Sequence, residues 1–197
     1  MKKYFPVLQY VNVPNMITTT GLLFGIVACY YLAEGNLQAA LVCLFLSTFM
    51  DLIDGFFAGK LKQRTRFGQY MDSLVDFFIC CITPVWMVYA FVGNHFFLIV
   101  GLAFYCICGL WRLAYYNIIE ADKYFTGLPV PGAMMSVTIA IWGVHIYGLP
   151  VWVAAATFFI IGLLMISGIN LRKYGLWQKA VAGIGLVFMV VVVLSDV

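Results

Sequence analysis

Apolar runs of about 20 residues dominate this chain, and a run of that length is what an α-helix needs to cross a bilayer. They lie near 15–33, 37–59, 68–92, 95–118, 131–148, 151–169 and 177–195. In lipid a backbone must satisfy its own hydrogen bonds, which helices do within one segment. Only 10% of the 197 residues are charged, against about 25% in a soluble domain, and the mean hydropathy is +1.01. The expected fold is an all-α integral membrane protein: one domain over 1–197, a bundle of six to seven transmembrane helices. Residues 1–12 are expected to form an interfacial segment, with Tyr4, Phe5, Leu8 and Tyr10 at the headgroups beside Lys2 and Lys3. The first apolar stretch, after Asn15, is too long for the core of a cleavable signal peptide and reads as a retained span.

The charges between these runs orient them. The eleven cations fall at the N-terminus (Lys2, Lys3), between the second and third spans (Lys60, Lys62, Arg64, Arg66), around the fourth-to-fifth connection (Arg112, Lys123) and around the sixth-to-seventh (Arg172, Lys173, Lys179). With seven spans all of these share one side, while the opposite connections carry Glu34, Asn36, Asn94, His95 and Asp196. The positive-inside rule then places the N-terminus and the basic loops in the cytoplasm. The six cysteines form no CxxC pair and read as inert buried thiols. His95 and His145 stand alone on the outer side. Gly21 and Gly25 form a GxxxG, a helix-contact pattern of weak specificity.

Against this background Asp51, Asp54, Asp72 and Asp76 are out of place. A charge near the centre of a spanning helix costs roughly 2.5–3.5 kcal/mol on insertion scales, so four unpaired ones would cost on the order of 10 kcal/mol. Asp51 and Asp54 are at i, i+3 near the end of the second span, and Asp72 and Asp76 at i, i+4 near the start of the third. Each pair shares a helical face. The short loop between them makes the two helices neighbours, so the carboxylates can converge at one depth near the cytoplasmic interface. Such a cluster repels itself in a low dielectric. Hard divalent cations relieve that repulsion, and Mg²⁺ or Mn²⁺ keeps positions open for water and phosphates. Two ions about 3.5–4 Å apart would suit phosphoryl chemistry. Gly55, Ala58 and Gly68 are small residues beside the aspartates. They read either as clearance for a bulky ligand, the favoured reading, or as helix contacts. Lys60, Lys62, Arg64 and Arg66 read as topogenic charges, as phosphate ligands, or as both.

The spacing D-x2-D-G-x2-A-G-x8-G-x3-D-x3-D, from Asp51 to Asp76, closely resembles the signature of the CDP-alcohol phosphotransferases. That family has Arg immediately after the Ala, where this chain has Gly59; Lys60 or a loop arginine is the expected substitute. Pro14-Asn15 with Thr18 resembles the start of the family's first helix, near the nucleotide. Gly109-Leu110-Trp111-Arg112-Leu113-Ala114 with Asn117, then Phe125-Thr126-Gly127-Leu128-Pro129-Val130-Pro131, resemble its phosphatidylserine synthase branch. The motifs cover roughly 12–170, leaving the last span, 177–195, outside them. The resemblance implies two-metal transfer of a phosphatidyl group from CDP-diacylglycerol to L-serine with release of CMP. It also implies a homodimer in the cell membrane with its active site facing the cytoplasm and no nucleic-acid partner. By the same resemblance Asp51, Asp54 and Asp72 hold Mg²⁺ or Mn²⁺, and Asp76 completes the site and serves as general base. Asn15, Thr18, Asp51, Gly55, Ala58, Gly68 and Asp72 take the nucleotide.

Arg112 is the cation set inside an apolar segment. It reads as a snorkelling or ion-paired residue, or as the group that recognises the serine carboxylate or a donor phosphate. Glu120 and Asp122 read as solvated loop charges, and Gly127–Pro131 as a turn that the resemblance makes a wall of the acceptor pocket. Two other acceptors, glycerol 3-phosphate and inositol phosphate, demand more cations than this segment offers. A divalent-cation transporter would need acids at several depths rather than one.

Overall fold

The structure, a computed structural model, describes residues 4–119, 124–172 and 176–195. Seven helices follow one another up and down: α1 Val13–Ala33, α2 Leu37–Lys60, α3 Arg66–Phe91, α4 Phe96–Ile118, α5 Val130–Tyr147, α6 Val151–Met165 and α7 Leu176–Leu194. The first five are long and apolar enough to cross a membrane. Local chemistry starts the first three. Asn12 caps α1 by accepting from the Asn15 N–H (2.9 Å), Asn36 caps α2 through Ala39 (2.9 Å), and Thr65 caps α3 through Gly68 (3.0 Å). At the other end of α5, Gly148 takes the left-handed conformation that closes the helix (φ +62°).

Lipid tails are as apolar as leucine, so helices in a bilayer hold together by close packing and hydrogen bonds. The GxxxG of α1 serves two neighbours. A Cβ on Gly21 would lie 3.3 Å from Met50 Cβ of α2, and the Gly21 carbonyl accepts from Ser47 Oγ (2.7 Å). A Cβ on Gly25 would meet Ile79 of α3 at 2.9 Å. Between α4 and α6 the same device recurs at Gly101 and Gly162, and Tyr105 meets Phe158 edge-to-face at 5.7 Å with both side chains fully buried. The helix α7 leans on α2, where Gln38 Nε2 donates to the Val192 carbonyl (3.1 Å). All six cysteines are free thiols. Large apolar side chains such as Trp111, Trp152 and Phe96 cover the outside, as a lipid-facing surface requires.

The third span differs from the unbroken helix expected over 68–92. A π-helical stretch, Phe77–Ile82, interrupts α3 directly after Asp76. Pro84 is the cause: it has no N–H for the Cys80 carbonyl, and its ring crowds that turn. The helix widens, and neighbouring groups take up released carbonyls. Tyr105 Oη donates to Cys80 O (2.9 Å) and Cys106 Sγ to Cys81 O (3.2 Å), both from α4.

Two three-residue strands were not anticipated. Residues Tyr124–Thr126 (β1) pair antiparallel with Asn170–Arg172 (β2), Phe125 opposite Leu171. The ribbon sets the α4–α5 and α6–α7 connections side by side, as the alternation of seven helices requires. It also shortens the sixth span, which ends at Met165 rather than near 169. The N-terminal segment makes a 3₁₀ turn, Pro6–Tyr10, whose Tyr10 stacks on Phe67 (4.4 Å), so it joins the α2–α3 loop at this same end. Lys2, Lys3, Glu120, Asp122, Lys123, Lys173 and Asp196 lie outside the described residues, as do the side chains of Arg172 and Lys179.

Candidate active site

The two aspartate-bearing helices are held near one another through α1, which packs against both. Their carboxylates enter one cleft, lined by Thr18 and Gly21 of α1, Ser47, Thr48, Asp51 and Asp54 of α2, and Asp72, Asp76 and Ile79 of α3. One carboxylate oxygen from each of Asp51, Asp72 and Asp76 lies within 4.8 Å of the others. Asp51 and Asp72 come within hydrogen-bonding reach of each other. Opposite oxygens around a Mg²⁺ stand about 4.2 Å apart, from metal–oxygen distances near 2.1 Å. A trio at this spacing therefore fits around a hard divalent cation after little adjustment, and its all-oxygen chemistry suits Mg²⁺ or Mn²⁺. Asp54 stands beside this trio rather than in it. It is buried, and Thr18 Oγ1 donates to its Oδ2.

The remaining candidates divide. Asn15 is buried in the first turn of α1 with Nδ2 on the Tyr10 carbonyl (2.8 Å). Its Oδ1 would lie 2.7 Å from a Cβ on Gly68, with Thr65 Oγ1 at 3.2 Å, so Gly68 lets the start of α3 approach α1. Gly55 is the opposite case, with open space where its side chain would be. Ala58 is half-buried outside the cleft lining. Lys60 lies over the Phe56 ring (5.7 Å), and Arg66 is exposed at the start of α3. Arg64 folds back so that its guanidinium is 3.3 Å from a Cβ built on Gly59. A loop arginine thus occupies the space beside the position where the resemblance led us to look for one.

Arg112 is buried in α4 with its guanidinium over the Tyr116 ring (5.2 Å), close enough to Asp76 for their charges to interact. Its Nε is buried without a hydrogen-bond partner. Sequence reasoning gave Asn117 no role, yet it bridges α4 to α3: Nδ2 donates to Ser73 Oγ (2.9 Å) and to Leu113 O (3.0 Å). Its Oδ1 is likewise buried without a partner. The signal available for Asn117 was its place beside the Arg112 motif. Pro131, at the end of the Gly127–Pro131 turn, lines the cleft. The turn is fixed from below, Gly127 N–H donating to Ile169 O (2.8 Å) and Leu128 N–H to Leu164 O (2.9 Å). Gly127 needs its positive φ (+75°), and a Cβ there would collide with the Met165 carbonyl.

Residues 11–197 match the sequence profile of a family described as CDP-alcohol phosphatidyltransferase. The match runs through α7, past the motifs read from sequence. Among curated proteins, the chain is 33% identical over 131 residues to the CDP-diacylglycerol–serine O-phosphatidyltransferase of Bacillus subtilis, covering 64% of this chain and 73% of that one. It is 28% identical over 170 residues to the protein of the same name from Methanocaldococcus jannaschii (86% and 78%). It is also 28% identical over 134 residues to an archaetidylserine synthase of Methanothermobacter thermautotrophicus (66% and 58%).

Proposed function

This chain belongs to the CDP-alcohol phosphatidyltransferase family, and we propose that within it the chain transfers a phosphatidyl group from CDP-diacylglycerol to L-serine, releasing CMP. The observation that carries this reading is the convergence of Asp51, Asp72 and Asp76 within 4.8 Å in one cleft between membrane-spanning helices. Such a cleft serves a donor whose tails stay in lipid while its diphosphate meets the carboxylates. Asp51, Asp72 and Asp76 would hold a divalent ion, and Asp54 beside them would serve a second one. When bound, Mg²⁺ or Mn²⁺ neutralises the diphosphate and the charge growing on the CMP leaving group.

The protein's own groups do the rest. Asp76 accepts the proton of the serine hydroxyl as its oxygen forms the new bond to phosphorus and the bond to the CMP oxygen breaks. Arg112 is the one buried cation among the described residues, and its unpartnered Nε is a donor suited to the serine carboxylate. The unpartnered Asn117 Oδ1 is an acceptor suited to the ammonium. A buried donor and a buried acceptor suit a zwitterion better than a phosphate, which would demand several cations. Arg64, with Lys60 and Arg66, meets donor phosphates at the mouth. Asn15, Thr18, Gly55, Ala58 and Gly68 shape the nucleotide side, Gly55 by leaving space and Gly68 by admitting Asn15. The site faces the cytoplasm, the side of the basic loops, and the working unit is a homodimer.

The test is CMP release by purified protein given CDP-diacylglycerol, Mg²⁺ or Mn²⁺, and a panel of alcohols. L-serine is expected to be the preferred acceptor. Preference for glycerol 3-phosphate or inositol phosphate would overturn the assignment of acceptor, and divalent flux without the lipid donor would overturn the class.

A further inference from the structure

The first half of α3, the 11 residues Arg66–Asp76, carries two of the three converging carboxylates. The widened stretch after Asp76 separates it from the rest of that span. So short a piece of helix needs an outside reference to hold its aim, and the N-terminal segment supplies one. Tyr10 closes the turn Pro6–Tyr10 and lies flat on Phe67, the second residue of α3, with ring centroids 4.4 Å apart and planes 8° from parallel. The Tyr10 carbonyl also accepts from Asn15 Nδ2 (2.8 Å), while Asn12 Oδ1 accepts from the Asn15 N–H (2.9 Å). An amide held by its Nδ2 has its Oδ1 turned the other way, and Asn15 Oδ1 faces Gly68, 2.7 Å from where a Cβ would stand. Gly68 and Asp72 are at i, i+4 on one face of α3, and Asn15 comes three residues before Thr18, the partner of Asp54. Tyr10 therefore engages the starts of both helices one turn below the carboxylates. The turn buries none of its own residues, so it is not there to complete the core.

We propose that Tyr10 is a positioning residue: its ring on Phe67 and its carbonyl on Asn15 set the spacing of α1 and α3, and with it the aim of Asp72 and Asp76 at a divalent cation. The inference rests on the cation site named above, in which Asp51, Asp72 and Asp76 share one ion. Tyr10 does not line the cleft; it acts through Phe67 and Asn15. Phe67 stands five residues before Asp72, about 7.5 Å along the helix at 1.5 Å per residue, so a helix start that swings carries the carboxylates with it. Three ligands converging within 4.8 Å tolerate little of this, because Mg²⁺ demands near-ideal octahedral geometry. Docking and binding are then linked in both directions. A docked Tyr10 tightens the ion, and the ion tightens the docking of Tyr10 by the same factor.

The experiment measures Mn²⁺ affinity by electron paramagnetic resonance, without lipid donor, in purified wild type and in Tyr10→Ala, Phe67→Ala, their double variant and Tyr10→Phe. Each single Ala variant should weaken Mn²⁺ binding about two- to tenfold, the range that one stacked ring pair allows. The double variant should be no weaker than either single one, because both remove the same contact. Tyr10→Phe keeps the ring and should bind as wild type does. Turnover lost by Tyr10→Ala at low Mn²⁺ should return at saturating Mn²⁺. Unchanged affinity in Tyr10→Ala, losses that add in the double variant, or a turnover loss that saturating Mn²⁺ leaves in place would overturn the proposal. Should the variants fail to fold, wild type decides by hydrogen exchange. The amides of residues 8–16 should exchange more slowly with Mn²⁺ than with chelator while those of α6 hold their rate. Equal exchange in the two conditions, or slowing shared alike by α6, overturns the positioning role. A wild type that binds no Mn²⁺ would sink the cation site itself, and this inference with it; a Tyr10→Ala that binds as tightly as wild type would sink the positioning role alone.

Discussion

The aspartate cleft and the apolar seam between α2, α5 and α7 share Thr48 and little else. The cleft is built from charges whose spacing along two helices is dictated by chemistry, so few substitutions are compatible with it. The seam is lined by Leu, Met, Phe and Val besides Thr48 and Thr138, and the identities of its apolar residues matter mainly through volume. The difference teaches that, in one membrane enzyme, a charged site is fixed by sequence spacing while an apolar seam is fixed by packing. The first should break all at once and the second by degrees.

The largest effect is expected inside the cleft. Asp72→Asn and Asp76→Asn should each lower kcat by about 10³-fold or more, from a lost charge at the cation site or a lost base. The same changes remove a negative charge from a self-repelling trio. In chelator the unfolding midpoint should therefore hold or rise, by roughly 2–4 °C per kcal/mol for a chain of this size. A parallel loss of activity and stability would make the carboxylates structural. Next is Arg112→Leu, for which kcat/KM for serine should fall about 10²-fold, mostly through KM, because a charge-assisted bond is lost. KM for the lipid donor should stay put and Arg112→Lys should recover part of the loss; equal rises in both KM values would remove Arg112 from the acceptor pocket. Smaller again is Gly68→Ala, whose Cβ would stand 2.7 Å from Asn15 Oδ1. A cost of about 1–3 kcal/mol in stability is expected from such overpacking, read by thermal unfolding in detergent. The smallest is Thr18→Val, which strips one hydrogen bond from Asp54. A loss of about 1 kcal/mol in stability or a few-fold in turnover is expected, and a fall as large as that of Asp72→Asn would move Asp54 from the margin of the site to its centre.

Much of the cleft was legible in the sequence because helical periodicity does the placing. Residues at i, i+3 and at i, i+4 share a face, and a loop as short as 61–65 cannot carry α3 far from α2. The seven helices among the described residues were legible for a similar reason, since lipid leaves so few alternatives to a helix. What escaped was set by contacts distant in sequence. Gly68 lies against Asn15, 53 residues earlier (68 − 15), and no local pattern announces that pairing. Strands of three residues, β1 and β2, carry too little alternation to be seen. The π-helical stretch did have a signal, Pro84 within an apolar run, but its meaning depended on Tyr105 and Cys106 waiting across the interface. The apolar seam between α2, α5 and α7 has no motif at all.

That widened stretch divides α3 into halves keyed to different neighbours. The inner half presents Asp72 and Asp76 to the cleft shared with α2, the widened stretch itself is latched to α4 by Tyr105, and the outer half packs on α1 and α5. A helix turns about 100° per residue. Deleting one residue from 77–82 would therefore swing one half by more than a quarter-turn relative to the other, and the chain would have to surrender either the packing of its outer half or the aim of its carboxylates.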